Sequence, residues 1–166
     1  MADVTSFSDI YKIFFSKITD DMYMELDRQD TEKLVDELFV SALHWFEFPR
    51  VDIHDYSSEG YNIELSKEEQ NIIAHYMIVE WLGQQLASVE LTRQKYSGED
   101  FKFTSQAAHM QRLQAMKKDW ERLGFHLQRL YKRREKTEDG EVVPTMSHLM
   151  ESYGSETKPF SRRYRG

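Results

Sequence analysis

Six histidines, His44, His54, His75, His109, His126 and His148, are the side chains here best suited to proton transfer or metal binding near neutral pH. A helix-borne zinc site needs H-E-x-x-H, and a di-iron site needs Glu followed three residues later by His. Neither spacing occurs. The chain has no cysteine, which excludes disulfides, thiolate zinc sites and a Cys nucleophile. One constellation is open: His75 and His109 could approach each other across a helical hairpin, with Glu80 nearby. A structural, half-buried histidine is the simpler reading of each. The carboxylate pairs Asp20/Asp21, Glu68/Glu69 and Glu99/Asp100 fall at helix starts or turns, where capping and the helix dipole account for them. No G-x-S-x-G elbow, Walker loop or G-x-G-x-x-G is present, and Gly83, Gly98 and Gly124 are isolated. The sequence therefore predicts no catalytic, cofactor-binding or metal-binding residue, and a non-enzymatic chain that works through contacts with other protein subunits.

The elements that would position such contacts are helices. Ser8-Asp9 offers a cap for a segment reaching about Phe15, with Ile10, Ile13 and Phe14 on one face. Thr19-Asp20-Asp21 could cap a second short helix through Met22 and Leu26. Asp30 opens a longer helix whose stripe is Leu34, Leu38, Ala42, Trp45 and Phe46, ending near Phe48 because Pro49 disfavours the α region before it. Residues 51–65 then alternate apolar and polar around Ser57-Ser58-Glu59-Gly60. That pattern predicts a β-hairpin or an extended loop folded back on itself.

Ser66-Lys67-Glu68-Glu69 is a capping box, with Leu65 as a staple. Its helix runs through Ile72, Ile73, Tyr76, Met77, Leu82, Leu86 and Val89 to about Tyr96, with Gly98 as a stop. Thr104-Ser105-Gln106-Ala107 starts the next helix. There Leu113, Met116, Trp120, Leu123, Leu127 and Leu130 recur at alternating spacings of three and four, an a/d heptad seam. Each helix spans roughly 30 residues, about 45 Å, and the short link makes them an antiparallel hairpin. The seam is narrow, so it faces the core or, in part, a partner helix, and Leu123→Asp should unfold the domain or break its assembly. From Arg134 the pattern dissolves, and the last residues have no period.

The 166 residues are 40% hydrophobic and 13% aromatic, with seven Gly and three Pro, a composition of one domain rich in long elements. No apolar run approaches the roughly 18 residues of a membrane span. Met1-Ala2-Asp3-Val4 carries no basic leader, so cytoplasmic synthesis is expected. The net charge of −7 hides a gradient. Residues 1–66 hold 5 basic and 15 acidic side chains, whereas residues 132–166 hold 8 and 6. Unlike charges on the two halves could steer neighbouring copies together. Lys132-Arg133-Arg134 could touch nucleic acid, but a pI near 5.4 argues against sequence-directed DNA binding.

Three stretches carry a family resemblance: Leu65-Ser66-Lys67-Glu68-Glu69-Gln70-Asn71-Ile72-Ile73-Ala74; Val79-Glu80-Trp81-Leu82 with Leu86, Ser88, Val89 and Glu90; and Phe101-Lys102-Phe103-Thr104-Ser105-Gln106-Ala107. Over residues 30–135 the chain resembles the head–tail connector or adaptor (neck, head-completion) proteins of tailed bacteriophages. The resemblance implies an all-α helical bundle on a long antiparallel helical hairpin, with a small β-hairpin or extended loop and an extended C-terminal arm. Residues 1–135 would form the adaptor domain, with the hairpin or loop at about 50–65, and residues 136–166 the arm.

It further implies a homo-oligomeric ring, commonly of twelve copies, in the virion neck between the portal protein and a tail-side neck or tail-completion protein. The ring would assemble in the host cytoplasm and touch packaged DNA only passively. Lys158, Phe160, Arg162, Arg163, Tyr164 and Arg165 would dock the arm on the portal. Val51, Ile53, Tyr56, Tyr61 and Ile63 would face the tail, and the heptad seam would pack the helices. The alternatives are a phage accessory or tail-assembly protein outside the virion, and a helical DNA-binding or regulatory protein.

Overall fold

A computed structural model describes residues 5–18, 28–58, 60–95, 103–136 and 142–144. The expected short helix at Met22–Leu26, the stop at Gly98 and the portal-docking residues from Lys158 to Arg165 lie outside the described residues. The described chain is mainly helical: α1 (Phe7–Lys17), α2 (Arg28–Leu43), α3 (Lys67–Lys95) and α4 (Phe103–Lys132), followed by strands β1 (Arg134–Lys136) and β2 (Val142–Pro144). It divides into two units within α4, Met1–Gln128 and Arg129–Gly166.

In the first unit, α3 begins where the capping box places it. Ser66 N donates to Glu69 Oε2 at 2.7 Å, and Glu69 N donates back to Ser66 Oγ at 3.3 Å. Every residue from Ile72 to Val79 is buried, and so are Trp81 and Leu82. A helix buried all round must be covered on every side. Two of its covers are α1, through Ile10 and Phe14, and α2, through Val35, Leu38, Phe39, Ala42 and Leu43.

Helix α4 supplies another cover. His75 meets Trp120, Tyr76 meets Gly124 and Gln128, and Gly83 meets Lys117. A Cβ on Gly124 would lie 2.8 Å from Tyr76 Cζ and 3.0 Å from His75 Cδ2. Only a residue without a side chain allows this approach.

Helix α1 is capped by Ser6, whose hydroxyl accepts from Ser8 N at 3.3 Å, two residues ahead of the expected Ser8-Asp9 cap. Helix α2 ends at Leu43, short of the expected Phe48. Three-residue backbone bonds then lead out of it: His44 N to Ser41 O, Trp45 N to Ala42 O and Phe46 N to Leu43 O. Residues 51–65 fold back with one isolated bridge, Tyr56 to Tyr61, and a turn in which Ser57 N donates to Gly60 O at 2.8 Å. Thr5 lies along this loop. Its carbonyl accepts from Tyr61 N at 2.9 Å, and its hydroxyl accepts from Leu65 N at 2.8 Å. Gly60 permits that pairing, because a Cβ there would sit 2.6 Å from Thr5 O.

In the second unit, Arg133 N donates to the carbonyls of Arg129 and Leu130 at the helix end. β1 and β2 pair antiparallel with Glu135 opposite Val143. The stretch where the pattern dissolves at Arg134 in the sequence thus includes a short antiparallel strand pair whose first strand is wholly charged.

Replacing Gly124 by Ala is expected to push α4 off Tyr76 and to cost about 1–3 kcal/mol, the usual range for overpacking. The thermal midpoint should fall by roughly 2–4 °C for each kcal/mol lost. An unchanged melting curve would mean that the two helices do not approach at this position.

Candidate interaction surface

The histidine constellation does not assemble. His75 is buried, and its Nε2–H donates to Trp120 O at 2.7 Å. Glu80 accepts from Trp45 Nε1 instead of facing a histidine. His109 is exposed on α4. Among the described residues no three His, Asp or Glu side chains converge as a metal site, and no helix is long and apolar enough to cross a membrane.

Burial holds the His75 imidazole below the ordinary histidine pKa of 6.5, and the nearby Lys17 ammonium acts the same way. The bond to the Trp120 carbonyl opposes both. The neutral ring is therefore a packing element with one satisfied donor.

Around it lies a polar clamp that sequence reasoning passed over. Gln128 Nε2 donates to Trp45 O at 2.7 Å and to Tyr76 Oη at 2.6 Å, while its Oε1 accepts from Glu47 N at 2.8 Å. One buried amide ties α3, α4 and the segment after α2 together. The Trp45 ring stacks on Tyr76 with centroids 5.8 Å apart, and Lys117 Nζ stands 5.8 Å from the Trp45 ring centroid. This clamp explains why the chain leaves the helix at Trp45: Gln128 holds the Trp45 carbonyl and the Glu47 amide, and Glu80 holds the Trp45 indole.

The residues expected to face a tail are not on a projecting face. Ile53 and Tyr61 are fully buried, and Val51, Tyr56 and Ile63 are half-buried. Tyr56 and Tyr61 join Phe7, Tyr11 and Phe39 in one aromatic cluster, with the Phe7 and Phe39 centroids 4.8 Å apart. Burying those rings gains more than exposing them, so the alternation in 51–65 marks an inward-folded loop. Tyr11 Oη donates to Asp36 Oδ1 at 2.6 Å at the edge of the cluster. Tyr61 Oη is buried with no hydrogen-bond partner, and burial raises its pKa.

The heptad seam splits. Leu113, Trp120 and Leu127, the a positions, are half-buried, as is Leu130. Met116 and Leu123, two d positions, are 41% and 46% exposed. Within the first unit the buried positions of α4 are Gly124 and Gln128, so the packed face is turned away from the d positions. Leu123 is nearly half in water, so of the two outcomes expected of Leu123→Asp unfolding is disfavoured, and a broken assembly remains.

Beside Met116 lies an open cleft of about 190 Å3, lined by Lys17 at the end of α1 and Ile18 after it, Ile78, Trp81 and Leu82 of α3, and Met116 and Trp120 of α4. The sequence held no sign of it, because it joins three segments distant in the chain. No protein-family model, curated protein or solved structure matches this chain.

The lowered pKa of His75 makes stability depend on pH with a definite sign. Its neutral form is favoured in the folded state, so its contribution is fully present above about pH 6.5, the ordinary value. That contribution is lost as pH falls below 6.5 toward the depressed folded pKa. The urea midpoint should drop between pH 7.5 and pH 5.5, and His75→Gln should flatten that drop relative to the parent. Parallel pH profiles for the two proteins would show that His75 is not the titrating group.

Proposed function

We propose that the chain is a structural protein of a bacteriophage neck. It would form a ring between the portal and the tail, commonly of twelve copies, and conduct DNA without catalysis. The sequence stretches quoted above support the reading, and the mainly helical fold agrees with it.

The structural observation that carries it is the unlike charge on two outer faces of the first unit. Helix α2 exposes Asp30, Glu32, Asp36 and Glu37 with one base, Lys33, while α4 exposes Arg112, Lys118 and Arg122 with one acid, Asp119. The two helices cover different parts of α3. A closed ring is a heterologous assembly, in which one face of a subunit meets a different face of the next. Acidic α2 against basic α4 supplies such a pair and also steers the encounter.

The burial of Ile53 and Tyr61 removes them as tail contacts, which leaves the exposed polar rim of that loop, Asp52, His54 and Asp55, for any neighbour on that side. Portal docking stays with the C-terminal arm, where Phe160 and Tyr164 are apolar anchors between Lys158, Arg162, Arg163 and Arg165. Weak arms repeated around a ring would add by avidity.

Light scattering of the protein alone, and mixed with purified portal particles, tests this. A ring of many copies or a stoichiometric portal complex is expected. Deleting residues 154–166 should leave the circular dichroism unchanged while weakening portal attachment. A strict monomer that ignores portals would sink the neck reading, and unaltered attachment of the shortened chain would remove the arm from it.

A further inference from the structure

We infer that the exposed d positions of α4 and the cleft beside Met116 form a docking groove for an acidic amphipathic helix of another protein. Met116 and Leu123 stand seven residues apart on one face, about 10 Å along the axis, the spacing at which a partner helix presents successive apolar side chains. The half-buried Leu113, Trp120 and Leu127 floor one side of this stripe. The cleft at its Met116 end, about 190 Å3, has room for one leucine or phenylalanine side chain, since a cavity of about 150 Å3 holds benzene.

The charges around the stripe select the occupant. Lys17 lines the cleft and is half-buried, and its ammonium donates to a neutral acceptor, Asn71 Oδ1, at 2.6 Å. Among the described residues no carboxylate neutralises it. Desolvation lowers its pKa, the mark of a cation that an added carboxylate would favour. On the opposite flank Arg112 and Arg122 are exposed, and Asp119 sits 3.6 Å from Arg122.

Two copies pairing stripe to stripe would bring these cationic flanks together. Asp119 there already sits beside Arg122, so among the described residues of that face no further carboxylate reaches Lys17, and a like copy is disfavoured. The acidic outer face of α2 exposes Val40 as its one large aliphatic side chain. One such knob does not cover two. A separate partner with leucine-type knobs flanked by Glu or Asp satisfies both the apolar and the charge pattern. The groove rests on residues 17–18, 78–82 and 112–127 and stands whether or not the chain binds a portal. It shares Arg112 and Arg122 with the α4 face given above to a ring neighbour, so the two occupants would compete there.

The test uses the full chain and two fluorescein-labelled helical peptides with identical heptad leucines, one with Glu and one with Lys at the remaining positions. Fluorescence anisotropy should show saturable binding of the Glu peptide, at least about tenfold tighter than the Lys peptide and weakening as salt rises. Lys17→Gln, which can still reach Asn71, should shrink that ratio. The double variant Met116→Glu, Leu123→Glu should abolish binding while its circular dichroism and melting stay those of the parent, because both side chains are already exposed. Equal binding of the two peptides, no binding of either, or binding indifferent to the double variant would overturn the proposal. So would a dimer in light scattering that the double variant dissolves, which would give the stripe to a second copy.

Discussion

The burial of one helix governs this molecule. From Ile72 to Val79 no residue of α3 reaches the surface, and the sequence there offers no polar face to turn outward apart from His75, whose ring is already bonded to Trp120 O. A segment like this is stable only inside other elements. Helices α1, α2 and α4 are each amphipathic enough to provide a cover, and each has a water-facing side left over. The location of every surface feature follows from which side of α3 its helix covers.

That constraint separates what the sequence makes legible from what it hides. The start of α3 is legible because a capping box is local chemistry, complete within Ser66 to Glu69. The helical character of residues 103–132 is legible from the repeat of apolar residues. Which face of that helix packs is not, because apolar side chains tell only which positions avoid water on average. The choice is made by Gly124, which lets the backbone close on Tyr76, and by Gln128, whose amide satisfies three groups at once. Neither residue stands out in a hydrophobicity pattern. The loop of residues 51–65 misleads for a related reason. Its alternation is real, but the partners for Tyr56 and Tyr61 are Phe7 and Phe39, far away in the chain.

Polar groups in this core specify more than they stabilise. A net hydrogen bond contributes only about 1 kcal/mol, yet leaving Gln128, Trp45 O or Glu47 N unpaired in the packed state would each cost about as much again. The clamp thus penalises any other seating of α4 on α3. A purely apolar contact between the two helices could slide or rotate by one ridge with little loss. Because Gln128 forbids that rotation, the seam cannot turn its d positions inward, and Met116 and Leu123 stay in water.

An exposed pair of this kind is hard to explain as residual surface. Scattered apolar side chains on a protein surface are ordinary, but these two share a heptad frame with residues that are half-buried, and they border a cleft holding a half-buried ammonium without a carboxylate partner among the described residues. One stripe therefore serves two surfaces: its a positions help close the domain, and its d positions remain available. Folding alone would be served as well by polar residues at 116 and 123, which would remove a patch prone to unspecific association. The docking proposed above would give both residues a use beside Lys17, and the charge there would make that contact selective.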